Sequence, residues 1–316
     1  MKIALAEPEQ LQLKLILFGG KGGVGKTTCA ASSGLYLSKY FRTLLISTDP
    51  AHSLSDSLGQ EIGDQIREVR GVKNLYALEV SAEKALSNFK IEYEDEIKNI
   101  LDTSTNLDHE DINSLFALPI PGIDEVMGFK TILDLIEKAE YDKYIVDTAP
   151  TGHALRLLTL PDLLDDWVKV LAKMRWKYRY MVERFSGKYN PDEGDDFLLS
   201  MKKTVKKIDG LLRDNHRCEF IPVIIPEEMA ILETERLVNK LKNYGIKVRQ
   251  LVINNVLESQ ECGFCRAKNI EQEKYVKRIK EKFNGLIITI TPLESNEVKG
   301  IESLEKFKKR LFENET

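Results

Sequence analysis

Leu15-Ile-Leu-Phe-Gly-Gly-Lys-Gly-Gly-Val-Gly-Lys-Thr-Thr28 decides how the rest of the chain is read. Leu15 to Phe18 is an apolar run suited to a buried strand. It breaks into a loop with four glycines between Gly19 and Gly23 and a fifth at Gly25. Thr27 to Lys39 then has helix-forming character. Strand, glycine loop and helix in that order are the context a phosphate-binding loop requires, and Gly20 to Thr27 fits G-x-x-x-x-G-K-[ST]. Glycines let backbone N–H groups close around phosphate oxygens, and the helix N-terminus adds partial positive charge. Gly20, Lys21, Gly22, Gly23, Val24, Gly25, Lys26, Thr27 and Thr28 are therefore candidate nucleotide contacts. Lys26 is placed to reach the outer phosphates, and the Thr27 hydroxyl to ligate Mg²⁺.

Bulk composition is ordinary for a soluble globular protein. The 316 residues include 46 Lys+Arg and 50 Asp+Glu, a net charge of −4 with no basic excess to suggest nucleic acid as a partner. No apolar run approaches the roughly 18 residues of a membrane span. Met1 to Gln12 lacks the pattern of a signal peptide. Four cysteines are too few for a disulfide scaffold at this length, so a cytoplasmic location is expected.

Strands alternate with helices along the chain. Thr43–Thr48, Leu75–Val80, Tyr144–Asp147, Glu219–Ile225, Val248–Asn255 and Gly285–Thr291 are strand candidates. That alternation predicts a doubly wound, mostly parallel α/β sheet. We expect one P-loop domain over 1–316, with a helical subdomain inserted at about 83–120 and 158–214. In such sheets ligands meet the carboxyl ends of strands. Asp49 ends the second strand and is placed to orient or deprotonate an attacking water, although it also suits a helix cap. Asp147 ends the Tyr144–Asp147 strand and delivers a carboxylate to the Mg²⁺ shell. With Thr27 and Asp49 it completes the expected magnesium set. His153 follows in a loop and suits a phosphate sensor and an ordinary loop histidine equally. Asn254, at a strand end, has the amide donor and acceptor to read an adenine edge, or simply the shape for a turn.

Leu157 to about Arg213 is long and helical, broken near Ser186–Gly194. Leu163, Leu164, Trp167, Val170, Leu171, Met174, Met181 and Phe185 supply apolar surface there. A subdomain core accounts for most of it; an adaptable groove for apolar helices is the sharper reading. Cys262 and Cys265 form a lone C-x-x-C. One pair supplies half of a tetrahedral zinc set, and a two-fold dimer would complete Cys₄. An intersubunit iron–sulfur cluster would use the same ligands; a redox dithiol lacks a thioredoxin-like context. Ile301, Leu304, Phe307 and Leu311 lie on one face of a basic C-terminal helix. That face suits docking on the sheet better than a membrane surface.

The motifs together resemble one family. The K-G-G-x-G-K-T form of the loop is similar to that of dimeric ATPases in which the extra lysine, here Lys21, reaches the partner's phosphates. Gly20–Thr28, Asp49–His52 with Asp56, Pro121–Glu125, Asp147–His153 and Cys262-x-x-Cys265 occur in the order seen in the arsenical-pump/tail-anchored-protein-targeting ATPases, over nearly the whole chain. The resemblance implies a homodimeric ATPase using ATP, Mg²⁺ and Zn²⁺. Asp49 would activate water within switch I, and 147–156 would form switch II. Asn254 and the loop after Pro292 would lie at adenine, and Glu227 would meet the partner's nucleotide. Single length and Pro121-Gly-Ile-Asp-Glu125 match the targeting-factor branch, with an archaeal source expected. That branch captures transmembrane helices of client proteins and implies a membrane receptor. The alternatives are an arsenite or antimonite efflux-pump ATPase and a partition or positioning ATPase.

Overall fold

The computed structural model describes residues 13–49, 53–104, 123–148, 151–186, 188, 191–258 and 262–312. Two compact units emerge. One comprises Met1–Ser81, Leu135–Leu155 and Leu211–Thr316; the other comprises Ala82–Asp134 and Arg156–Gly210.

The first unit is built on an eight-stranded sheet in the order β3-β4-β2-β5-β1-β6-β7-β8. The strands are β1 Leu15–Gly19, β2 Thr43–Ser47, β3 Arg67–Glu68, β4 Leu75–Glu79, β5 Lys143–Asp147, β6 Cys218–Ile224, β7 Gln250–Val256 and β8 Ile287–Pro292. Every pairing is parallel except β3 with β4. β1 is central, and all five of its residues are buried, as its unbroken apolar run requires of a strand covered on both faces. Pro222 interrupts β6 without breaking it. β6 pairs with β1 through Cys218–Pro222 and with β7 at Val223 and Ile224, so the missing N–H falls where one ladder ends and the other begins. The two-residue β3 is exposed and antiparallel. Nothing in its composition marks it in the sequence.

Helices α1 (Lys26–Leu37), α2 (Ser53–Leu58) and α9 (Gly300–Phe312) pack with one face of the sheet around Ile16, Phe18, Leu45 and Val252. Tyr36 of α1 stacks on Phe312 of α9 with ring centroids 4.1 Å apart. Leu304, Phe307 and Leu311 are buried in the same cluster. The apolar face of the C-terminal helix is thus used within the fold, docked on the sheet as its pattern led us to expect. Helices α7 (Glu228–Asn243) and α8 (Gly263–Lys282) cover the other face, where Ile231, Leu251, Ile253 and Ile279 form a second cluster.

The second unit is helical. It draws on α3 (Ala82–Ser104), α4 (Ile123–Lys138), α5 (Thr151–Ser186) and α6 (Glu193–Arg213). Phe89, Tyr93 and Phe197 meet with ring centroids 5.0 to 6.4 Å apart. Tyr93 has φ −124° inside α3 and marks a kink. Arg175 is almost fully buried and forms ion pairs with Asp192 and Asp195, tying α5 to the start of α6. Among the described residues, no helix is long and apolar enough to cross a membrane.

Candidate active site

The site is assembled at the carboxyl end of the sheet by strand register. Phe18 of β1 and Ser47 of β2 both pair with Asp147 of β5. The glycine loop and the two strand-end carboxylates therefore leave the sheet side by side. Asp147 is fully buried. Its Oδ2 accepts a 2.6 Å hydrogen bond from the Thr27 hydroxyl, and the Ser53 hydroxyl lies 3.3 Å from Thr27 Oγ1. Asp147 Oδ1 is buried, with no hydrogen-bonding partner among the described residues. Burial pushes the Asp147 pKa up to about 7. The Thr27 hydrogen bond and the Lys26 charge oppose that rise, and the Asp49 charge adds to it.

Lys26 is buried and donates from Nζ to the Lys21 carbonyl at 3.2 Å. Desolvation lowers its pKa, while Asp147 and Asp49 favour the charged form. The Asp49 N–H donates to Ser47 Oγ at 3.2 Å, fixing the end of β2. Lys21 is half-buried, and Gly22 and Gly23 are exposed, so the crest of the loop is open to solvent. Thr28 is half-buried in the first turn of α1.

Asn254 braces the phosphate loop. It is buried, its Nδ2 donates to the Val24 carbonyl at 2.9 Å, and its Oδ1 accepts from the Thr291 hydroxyl at 2.7 Å. One N–H and one lone pair remain available on the amide. Gly25 explains why this neighbour demands glycine. Its φ is +92°, and a Cβ there would stand 2.2 Å from Asn254 Nδ2. Pro292 ends β8, where Leu293 N–H donates to the Val256 carbonyl at 2.9 Å. Glu227 is exposed at the N-cap of α7.

Mg²⁺ fits this donor set. It takes hard oxygen ligands and keeps several waters; the Thr27 hydroxyl and the Asp147 carboxylate, whose Oδ1 has no partner among the described residues, offer such oxygens. When bound, the metal would neutralise charge on the outer phosphates. Zinc is less well provided for. Cys262 caps α8, and its Sγ accepts from the Cys265 N–H at 3.1 Å and lies 2.8 Å from Cys265 Sγ. Hydrogen bonding from Cys265 lowers the Cys262 pKa and raises that of Cys265. Among the described residues, no third Cys, His, Asp or Glu gathers with them.

On α5, Val170, Met181 and Phe185 are exposed, joined by Trp176 and Tyr180, whose rings stack at 6.0 Å. Leu171 is buried, which removes it from any groove. The side chains of Leu163, Leu164, Trp167, Met174 and His153 lie outside the described residues, as do 50–52 and 105–122. Sequence reasoning missed Glu79 and Thr291 altogether. Polar residues near the carboxyl ends of buried strands were the available signal.

A glycine loop between a buried central strand and a helix, with a strand-end carboxylate bonded to its threonine, defines a P-loop nucleotide-binding protein. Comparison narrows the class: residues 13–313 match the anion-transporting ATPase family, and the chain belongs to it. It is 36% identical over 309 residues to an ATPase ASNA1 homolog of Paramecium tetraurelia, covering 95% of this chain and 92% of that protein. It is 34% identical over 318 residues to the ATPase get3 of Pyrenophora tritici-repentis, covering 96% and 92%. The ATPase ASNA1 homolog of Dictyostelium discoideum is 35% identical over 315 residues, covering 95% and 90%. These relatives are eukaryotic and lend no support to an archaeal source.

Proposed function

We propose that the protein is a homodimeric, Mg²⁺-dependent ATPase that captures transmembrane helices of tail-anchored client proteins and passes them to a membrane receptor. Its likeness to ATPases named get3 and ASNA1 homolog supports the branch. The observation that carries the client reading is the exposed apolar surface of α5, where Val170, Trp176, Tyr180, Met181 and Phe185 face water. Exposed apolar surface of this kind marks an interaction site. Lys26 and the loop amides hold the phosphates, Thr27 and Asp147 hold Mg²⁺, and Asp49 directs the attacking water. Lys21 reaches the partner's phosphates and Glu227 the partner's nucleotide. Adenine lies by Asn254 and the segment after Pro292. Cys262 and Cys265 share one Zn²⁺ with their partner copies. The protein works in the cytoplasm, and hydrolysis switches the groove between binding and releasing forms.

Pull-down of a transmembrane-helix peptide by the purified protein, with and without ATP, tests this reading. Nucleotide-dependent capture is expected, together with its loss in Met181→Glu/Phe185→Glu at unchanged ATP turnover. Capture that ignores both nucleotide and these substitutions would overturn it. Stimulation of hydrolysis by arsenite or antimonite would instead favour an efflux-pump subunit, and none is expected.

A further inference from the structure

Glu79 is a nearly buried carboxylate at the carboxyl end of β4, outside the phosphate site. Its Oε1 accepts from the Ser55 N–H at 2.8 Å. Its Oε2 accepts from the Ser55 hydroxyl at 2.9 Å and from the Gly63 N–H at 3.4 Å. Ser55 Oγ in turn accepts from the Ile62 N–H at 3.1 Å. One anion therefore ties down both the start of α2 and the chain just beyond its end.

A six-residue helix has little stability of its own, because nucleation costs more than so few hydrogen bonds return. Tertiary contacts must place α2. Buried Leu54 and Leu58 hold one side of it, and charge-assisted bonds to Glu79 fix its start. That start is Ser53, whose hydroxyl stands 3.3 Å from Thr27 Oγ1. Ser47 pairs with Glu79 in the β2–β4 ladder, and the Ser47 hydroxyl accepts the Asp49 N–H. The strand position that carries Glu79 is thus paired with the one that holds Asp49.

We propose that Glu79 is a positioning residue for ATP hydrolysis, holding Ser53 against Thr27 by clamping α2 through Ser55 and Gly63. The proposal rests on the ATPase reading above and deepens it. Glu79 bonds Ser55 and Gly63, outside the phosphate loop, so its loss should act on the catalytic step more than on binding. Misplacement of a catalytic group by about 1 Å is enough to cost ~100-fold in rate.

The test compares wild type, Glu79→Gln, Ser55→Ala and a control, Glu68→Gln on the exposed β3. Expected for Glu79→Gln is a fall of about tenfold or more in kcat with little change in affinity for Mg²⁺–ADP. Faster hydrogen exchange at the Ser55 and Gly63 amides should accompany it, with Glu68→Gln unchanged throughout. A merely structural role would lower Tm and leave the kcat of the folded enzyme intact, and that result would overturn the proposal. If Glu79→Gln does not fold, Ser55→Ala, which keeps the bond to the Ser55 N–H, carries the same kinetic test. Wild-type protein that hydrolyses no ATP would sink the ATPase reading. Exchange at Ser55 and Gly63 would then decide Glu79 alone, unchanged protection in Glu79→Gln being the refuting result.

Discussion

The Thr27 hydroxyl donates to Asp147 Oδ2 across 2.6 Å, joining the last residue of the phosphate-loop motif to the end of β5. Both groups are the proposed Mg²⁺ ligands, so they are gathered by protein contacts alone. The Asp147 pKa lies near 7, because burial penalises the carboxylate.

Magnesium must therefore compete with a proton. Below about pH 7 the apparent affinity for Mg²⁺ should fall by up to tenfold per unit. Isothermal titration of Mg²⁺–ADP between pH 5.5 and 8.5 reads this directly; a flat profile would remove Asp147 from the metal shell. Stability of the nucleotide-free protein should run the opposite way. The folded-state pKa is raised, so between about 4 and 7 the native state holds a proton that the unfolded chain has lost, and this contribution declines as pH rises through that window. Asp147→Asn should accordingly raise Tm more at pH 8 than at pH 5 while abolishing turnover.

Replacing Asn254 by Ala strands the Val24 carbonyl and the Thr291 hydroxyl. Leaving buried polar groups unpaired costs about 1–3 kcal/mol each. Urea unfolding should show a loss of that order, and nucleotide affinity should drop as the loop loses its brace. Gly25→Ala should be at least as damaging to binding, since it combines positive φ with a collision at Asn254.

Asp49→Asn should nearly abolish kcat while ATP binding persists, since the amide cannot accept the proton of the attacking water. Lys21→Ala should weaken turnover and ATP-dependent dimer formation together, measured by light scattering. Full activity from a strictly monomeric protein would refute the Lys21 assignment, and normal turnover in Asp49→Asn the Asp49 assignment.

Metal analysis should find one zinc for every two chains, lost with Cys262→Ser. A dimer that survives this substitution with its zinc content intact would show that the cysteines are not the ligands.

Phe312→Ala should destabilise the sheet-bearing unit by about 3–5 kcal/mol, the usual cost of emptying a buried aromatic site. Its stacking on Tyr36 and the burial of Leu304 and Leu311 leave the helix nothing apolar to offer a vesicle. This helix should therefore contribute nothing to co-sedimentation with lipid.

The parallel sheet was legible because its central strands are buried on both faces and read as unbroken apolar runs. Leu15–Phe18 and Tyr144–Val146 need no partner to be recognised. The phosphate loop was legible because its chemistry is local, set by residues adjacent in sequence. What escaped notice was non-local. Glu79 is separated from Ser55 by a whole strand, and Asn254 reaches Val24 from 230 residues away; only register brings such pairs together. β3 was missed because two exposed residues carry no periodicity. Leu171 was misassigned to the groove, since α5 mixes buried and exposed apolar residues and composition alone does not reveal which way each faces.

The reach of Asn254 to Val24 has a consequence for the chain as a whole. The phosphate signature occupies the first tenth of the polypeptide, yet its loop is braced by a side chain delivered four-fifths of the way along. During synthesis the nascent loop would wait, chemically complete but unbraced, until β7 emerges and docks. A fragment cut before residue 250 would carry every signature residue and still grip nucleotide poorly.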